Sequence, residues 1–210
     1  MYFGRCLLKK ILFILLYSWW SILARNGIPS SYADVLMVNN HLGIKVVFIF
    51  IFIFLFHNYL FDRLKETSIF EIIKIGILAT FSIVMSIVVI NLIITQEISF
   101  VANFPLAFRT FPMIFDVLIV GSIFEEMFYR FALIYTGEKK YLKMITAIVS
   151  LFFFTMNHSA NANGQMFNLI PFLIIGVVLT ITYLWKRNIW HSICAHIIYN
   201  TTIMLLAVWL

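Results

Sequence analysis

The stretch Gly121-Ser122-Ile123-Phe124-Glu125-Glu126-Met127-Phe128-Tyr129-Arg130 decides how this chain is read, because it sets two carboxylates and a guanidinium inside an apolar run from Phe111 to Tyr135. Such a run reads as membrane-spanning, and each ionisable side chain within it costs at least ~2.5 kcal/mol unless it faces a partner or a wet cavity. On a helix Glu126 and Arg130 stand at i and i+4, on one face, with the acid on the favoured N-terminal side. Glu125 lies about 140° away from Arg130 at 3.6 residues per turn. One carboxylate is thus neutralised by the arginine while its neighbour is left for chemistry. The competing reading is a purely structural buried cluster, since structural networks also hold charges in such places.

The rest of the chain supplies the same kind of environment. Of 210 residues 63% are hydrophobic, 11% are charged and 23 are phenylalanine, whereas apolar residues make up roughly half of an ordinary soluble domain. Apolar segments run over about 7–24, 44–61, 70–95, 111–135, 144–163, 167–185 and 189–209. Each is near the ~20 residues a helix needs to cross the hydrocarbon. The expected fold is all-α, a polytopic transmembrane helical bundle of about seven spans. Residues 97–115, with Phe100-Val101-Ala102-Asn103-Phe104-Pro105-Leu106, could add an amphipathic or re-entrant piece, so the count ranges from six to eight.

The net charge of +6 serves topology rather than nucleic acid. With the N-terminus cytoplasmic, Arg5, Lys9, Lys10, Arg63, Lys65, Lys74, Lys139, Lys140, Lys143, Lys186 and Arg187 fall inside, against Arg25, Lys45 and Arg109 outside. That asymmetry follows the positive-inside rule. Trp19 and Trp20 before Leu23-Ala24-Arg25 do not make a small-residue cleavage site, so the first apolar segment is expected to be an uncleaved span. The two cysteines, Cys6 and Cys194, support neither a disulfide framework nor a zinc ribbon.

Two further segments carry polar groups out of place in lipid. Phe154-Thr155-Met156-Asn157-His158 puts a histidine one turn after a phenylalanine, and His196-Ile197-Ile198-Tyr199-Asn200 sets a histidine and an asparagine on one face. Either histidine alone reads as a packed core residue. Counting ~1.5 Å per residue from the basic flanks puts Glu125 ~20 Å, His158 ~22 Å and His196 ~14 Å into the bilayer, depths at which they could share one cavity. Asp116, Asn157 and Asn161 are candidate rim or exit residues, His191 an interfacial one, while His41 and His57 have no partner in the sequence. Cys194 stands about 200° around the helix from His196, against a Cys-His pair.

Taken together, Glu125-Glu126-x-x-x-Arg130, Phe154-x-x-x-His158 and His196-x-x-x-Asn200 resemble the motifs of the CAAX-processing and bacteriocin-processing (CPBP, or Abi) intramembrane proteases. The resemblance covers roughly 111–210 and defines a CPBP-like core, with 1–110 as variable N-terminal transmembrane helices. It implies that Glu125 and His158 activate a water, that His196 and Asn200 stabilise a tetrahedral oxyanion, and that Glu126 and Arg130 form the supporting pair. No cofactor is expected. Zinc on Glu125, His158 and His196 stays open, although no His-Glu-x-x-His helix is present. The expected activity is glutamate-dependent cleavage of an amide bond in a peptide or lipidated-protein substrate. Alternatives are N-terminal acylation of a bacterial lipoprotein by the same site, and a non-enzymatic membrane scaffold or bacteriocin-immunity protein. Partners would be membrane lipids, a membrane-bound substrate and an unknown partner protein, with no nucleic acid. A bacterial plasma membrane is the expected location.

Overall fold

The computed structural model describes residues 2–27, 33–95, 111–159 and 166–209. Among these are seven helices and no strand, so the expected helical bundle is what forms. They are α1 (Tyr2–Gly27), α2 (Ala33–Lys65), α3 (Ile69–Thr95), α4 (111–132), α5 (Lys140–Asn157), α6 (Ile170–Lys186, entered through the 3-10 turn Met166–Leu169) and α7 (Ile189–Trp209). Among the described residues four stretches, Leu42–Lys65, Ile69–Ile94, Met166–Lys186 and Ile189–Ala207, are long and apolar enough to cross a membrane. The proposed re-entrant piece lies outside the described residues up to 110, and Phe111–Phe115 simply opens α4.

The bundle is built with its phenylalanines on both sides. Phe13 of α1, Phe52 and Phe56 of α2 and Phe131 of α4 are buried against one another, with ring centroids 4.8 to 5.4 Å apart. Edge-to-face rings of this kind add about 0.5–1.5 kcal/mol per pair beyond burial. Phe50, Phe54, Phe70 and Phe81 point outward instead, as lipid-facing side chains do when hydrocarbon is the solvent.

Tight helix contacts fall at glycines. A Cβ on Gly76 would meet Ile198 Cδ1 at 2.9 Å and Cys194 Sγ at 3.1 Å, and one on Gly176 would meet Leu151 Cδ1 at 2.6 Å and Phe154 Cδ1 at 3.0 Å. These small residues let α3 approach α7 and α6 approach α5 closely, which is how membrane helices gain packing energy. Thr80 adds a hydroxyl hydrogen bond to Ala195 O across α3 and α7 (3.3 Å).

Two helices depart from the regular form. Phe56 (φ −124°, ψ 17°) breaks α2, and the Leu55 carbonyl beside the break accepts a hydrogen bond from Lys9 Nζ at 2.9 Å. In α4, an α stretch at Gly121–Glu125 is flanked by π turns at Asp116–Val120 and Glu126–Ala132. The wider turns leave backbone carbonyls for side chains: Ser122 Oγ donates to Val117 O, and Ser150 Oγ of α5 donates to Tyr129 O.

Basic residues collect at one end, as the sequence predicts. Lys10 reaches Ile134 O, Asn188 Nδ2 reaches Arg63 O, and Lys186 pairs with Glu71 at 2.7 Å. His191 lies at that end but is 2% exposed, beneath the solvent rather than in contact with it. α6 stops where Arg187 turns left-handed (φ 50°), a conformation costing a non-glycine residue about 1–2 kcal/mol. Asn188 Oδ1 then caps α7 by accepting from Trp190 N at 3.0 Å.

Candidate active site

Glu125 closes the α stretch of α4 and Glu126 opens the π turn that follows, and the two adjacent carboxylates face different partners. Glu126 and Arg130 are wholly buried, with Arg130 Nη1 3.2 Å from Glu126 Oε1. The guanidinium also lies over the Phe154 ring, 4.1 Å from its centroid. Attraction between a desolvated cation and a ring face is worth about 2 kcal/mol. α5 therefore supports the pair from beneath, and Phe154, the first residue of the Phe-x-x-x-His motif, is the support.

Glu126 has a second partner. His196 Nδ1 donates to the same Oε1 at 2.9 Å, because a carboxylate oxygen only accepts. That bond turns the other ring nitrogen, Nε2, towards Glu125, 3.9 Å from its Oε2. His158 is arranged in the same way by a different acceptor. It stands at the C-terminal end of α5, where the chain leaves the helical region, since the helix stops at Asn157 short of the expected 163. Its Nδ1 donates to Phe154 O at 2.8 Å and its Nε2 lies 4.0 Å from Glu125 Oε2. Phe172 of α6 stacks on the His158 ring at 4.5 Å with 22° between planes.

Both imidazoles thus carry a hydrogen on Nδ1 and direct Nε2 at one carboxylate oxygen. At 3.9 and 4.0 Å these atoms are too far apart for direct hydrogen bonds, and such a gap suits one water bonded to each at about 2.8 Å. Zinc fits less well. Tetrahedral bonds of about 2.0–2.1 Å would bring ligand atoms to about 3.3 Å from one another, and among the described residues no group of three His, Cys, Asp or Glu is placed to hold a metal. Glu125 and His158 keep 18% and 15% side-chain exposure, so the Glu125 carboxylate is reachable and the Glu126 carboxylate, paired with arginine, is sealed.

Asn200 lies one turn beyond His196, and its Nδ2 donates to Val117 O at 3.1 Å and Ser122 Oγ at 3.0 Å. Both amide protons are committed to α4 and neither is directed at the Glu125 oxygen. Asp116 is paired with Lys45 Nζ of α2 at 2.8 Å, two and a half turns before Glu125. Cys194 Sγ faces Gly76 of α3. Asn157 and His57 are exposed, whereas Asn161 and the His41 side chain lie outside the described residues. Reasoning from sequence missed Phe172, Ser122 and the Val117 carbonyl. A phenylalanine or serine in an apolar helix carries no signal of its own, and a carbonyl carries none at all.

The class defined by this geometry is a membrane-embedded helical bundle with a carboxylate–imidazole centre between three helices. Residues 107–202 match the family described as type II CAAX prenyl endopeptidase Rce1-like. All six site residues fall inside that stretch, so the part of the chain carrying the motifs is similar to that family, in agreement with the resemblance read from them. Comparison with curated proteins and with solved structures gave no match.

Proposed function

We propose that this protein is a metal-independent, glutamate-dependent endopeptidase that hydrolyses an amide bond in a membrane-bound peptide or lipidated protein. The observation that carries the reading is the approach of His158 Nε2 and His196 Nε2 to the same Glu125 oxygen, at 4.0 and 3.9 Å, with each Nδ1 already held by an acceptor.

A water between Glu125 and His158 donates one hydrogen to the carboxylate and the other to the His158 Nε2 lone pair. Glu125 removes the first proton as the oxygen attacks the scissile carbonyl. The carbonyl π electrons move to oxygen, forming a tetrahedral oxyanion. His196 in its protonated form presents Nε2–H to that oxygen, with its ring held in place by the Glu126 carboxylate at Nδ1. One such donor is worth about 2.7–4 kcal/mol of barrier. The C–N bond then breaks, and the proton held by Glu125 passes to the leaving amine. Asn200 joins as a second donor by releasing Val117 O, which keeps the Ser122 hydroxyl as its partner. Glu126 and Arg130 act as positioning residues.

The Lys/Arg-rich end of the bundle is assigned to the cytoplasm of a bacterial plasma membrane, with a cytoplasmic N-terminus. The test is mass spectrometry of membrane peptide and lipoprotein N-termini from vesicles holding the wild type, Glu125→Gln or His158→Ala. Chains shortened only by the wild type, with both variants folded, are expected. Full cleavage by both variants refutes the mechanism. A gain of a fatty acyl mass instead of shortening moves the assignment to acyl transfer, and no product from the wild type favours a scaffold or immunity role.

A further inference from the structure

Two cavities meet at the Lys/Arg-rich end, about 22 Å of helix rise from His158 as counted from Lys143. The first, about 290 Å³, is lined by Arg63, Lys143 and Arg187 together with Tyr59, Tyr183 and Thr136, and by no carboxylate. The second, about 320 Å³, is an outward-facing groove between α5 and α6. Its walls are apolar, including Ile148, Leu151, Val177 and Ile181, and Lys140 and Lys143 stand at its mouth. Lys143 and Leu184 line both.

We infer that the two cavities together form a binding site for an anionic membrane phospholipid, its phosphate between Lys143 and Arg187 and one acyl chain in the groove between α5 and α6. Charge complementarity selects this occupant. Arg63 is neutralised by Glu66 at 2.6 Å, Lys186 by Glu71 at 2.7 Å and Lys45 by Asp116 at 2.8 Å. Lys143 and Arg187 have no ion pair among the described residues. Asp62 and Glu66 line a neighbouring cleft with Lys9 and Arg63.

Depth agrees with charge. Lys143 lies in the first turn of α5 and Arg187 follows the last turn of α6, where a bilayer's headgroups sit, and the groove runs from there into the hydrocarbon. Basic pockets between transmembrane helices are recognised settings for anionic headgroups. Arg187 also occupies a left-handed helix terminus usually given to glycine (φ 50°), so a guanidinium is kept there against backbone preference. The distance from Glu125 separates this lipid from any substrate at the reaction centre.

Native mass spectrometry of the full chain in detergent, titrated with long-chain phosphatidylglycerol and with phosphatidylcholine of the same chains, tests the site. The wild type is expected to prefer phosphatidylglycerol. Lys143→Ala with Arg187→Ala should weaken that lipid about 25-fold, about 5-fold per cation, and leave phosphatidylcholine unchanged. Val177→Phe, which fills the groove, should weaken both lipids. Lys143→Gln with Arg187→Gln keeps the apolar stems and should show the same selective loss, which covers the case in which the alanine pair fails to fold. Equal affinity for the two lipids, unchanged binding by the glutamine pair, or full displacement of phosphatidylglycerol by millimolar inorganic phosphate overturns the proposal, the last by making this a soluble-anion site.

Discussion

Arg130→Met tests whether the sealed pair is scaffold or machinery. The substitution keeps the length and apolar stem of the side chain and removes the charge 3.2 Å from Glu126 Oε1 and over the Phe154 ring. Both partners are fully buried, so Glu126 is left as an uncompensated carboxylate in a low-dielectric interior, a loss of about 3–5 kcal/mol. For a chain of this size each kcal/mol moves the midpoint by about 2–4 °C, so thermal unfolding in detergent should fall by about 6–20 °C. Replacing both partners, Glu126→Gln with Arg130→Met, removes the stranded charge, and most of the lost midpoint should return. Cleavage should not return with it, because a neutral amide then replaces the carboxylate that holds the His196 ring at Nδ1. A single variant within about 2 °C of wild type, or a double variant no more stable than the single, refutes the energetic argument. A double variant with full activity refutes the assignment of Glu126 to the positioning of His196.

Other outcomes follow from the same contacts. Glu125→Gln, at a partly exposed position with no ionic contact closer than 3.9 Å, should change the midpoint by no more than about 2 °C while turnover falls by about 10²–10⁴. Ser150→Ala leaves the Tyr129 carbonyl of the second π turn without its side-chain donor, and urea or thermal titration should read a loss of about 1–3 kcal/mol. Gly176→Leu drives a side chain into Leu151 and Phe154. The overpacking should cost about 1–3 kcal/mol, and cleavage should drop further than stability because Phe154 supports Arg130 and accepts from His158. Lys45→Ala opens a half-buried surface pair and should cost no more than about 1 kcal/mol.

The bundle was legible because composition and hydropathy pattern act on every residue of a span: each expected segment contains or overlaps a helix. The separation of Glu125 from Glu126 was legible for a related reason, since neighbours on any helix face apart. The exact helix ends were less so. α5 stops at Asn157 because the chain turns at His158, a local choice to which a hydropathy window is blind. The π turns left no trace in the sequence either, as their cause lies in tertiary partners such as Ser150. Asn200 was readable as a polar residue facing α4, but not its present partners, because a carbonyl exposed by a π turn has no letter in the sequence.

Those widened turns bear on how a chain carrying this centre can diverge. Each accommodates an extra residue that a regular helix would not hold, so losing one residue from Glu126–Ala132 would restore ordinary geometry with Arg130 three rather than four residues from Glu126, still on the same face. Point substitution and single-codon deletion are therefore unequal routes through sequence space: the second removes the wide turn itself, and with it the Tyr129 carbonyl left to Ser150.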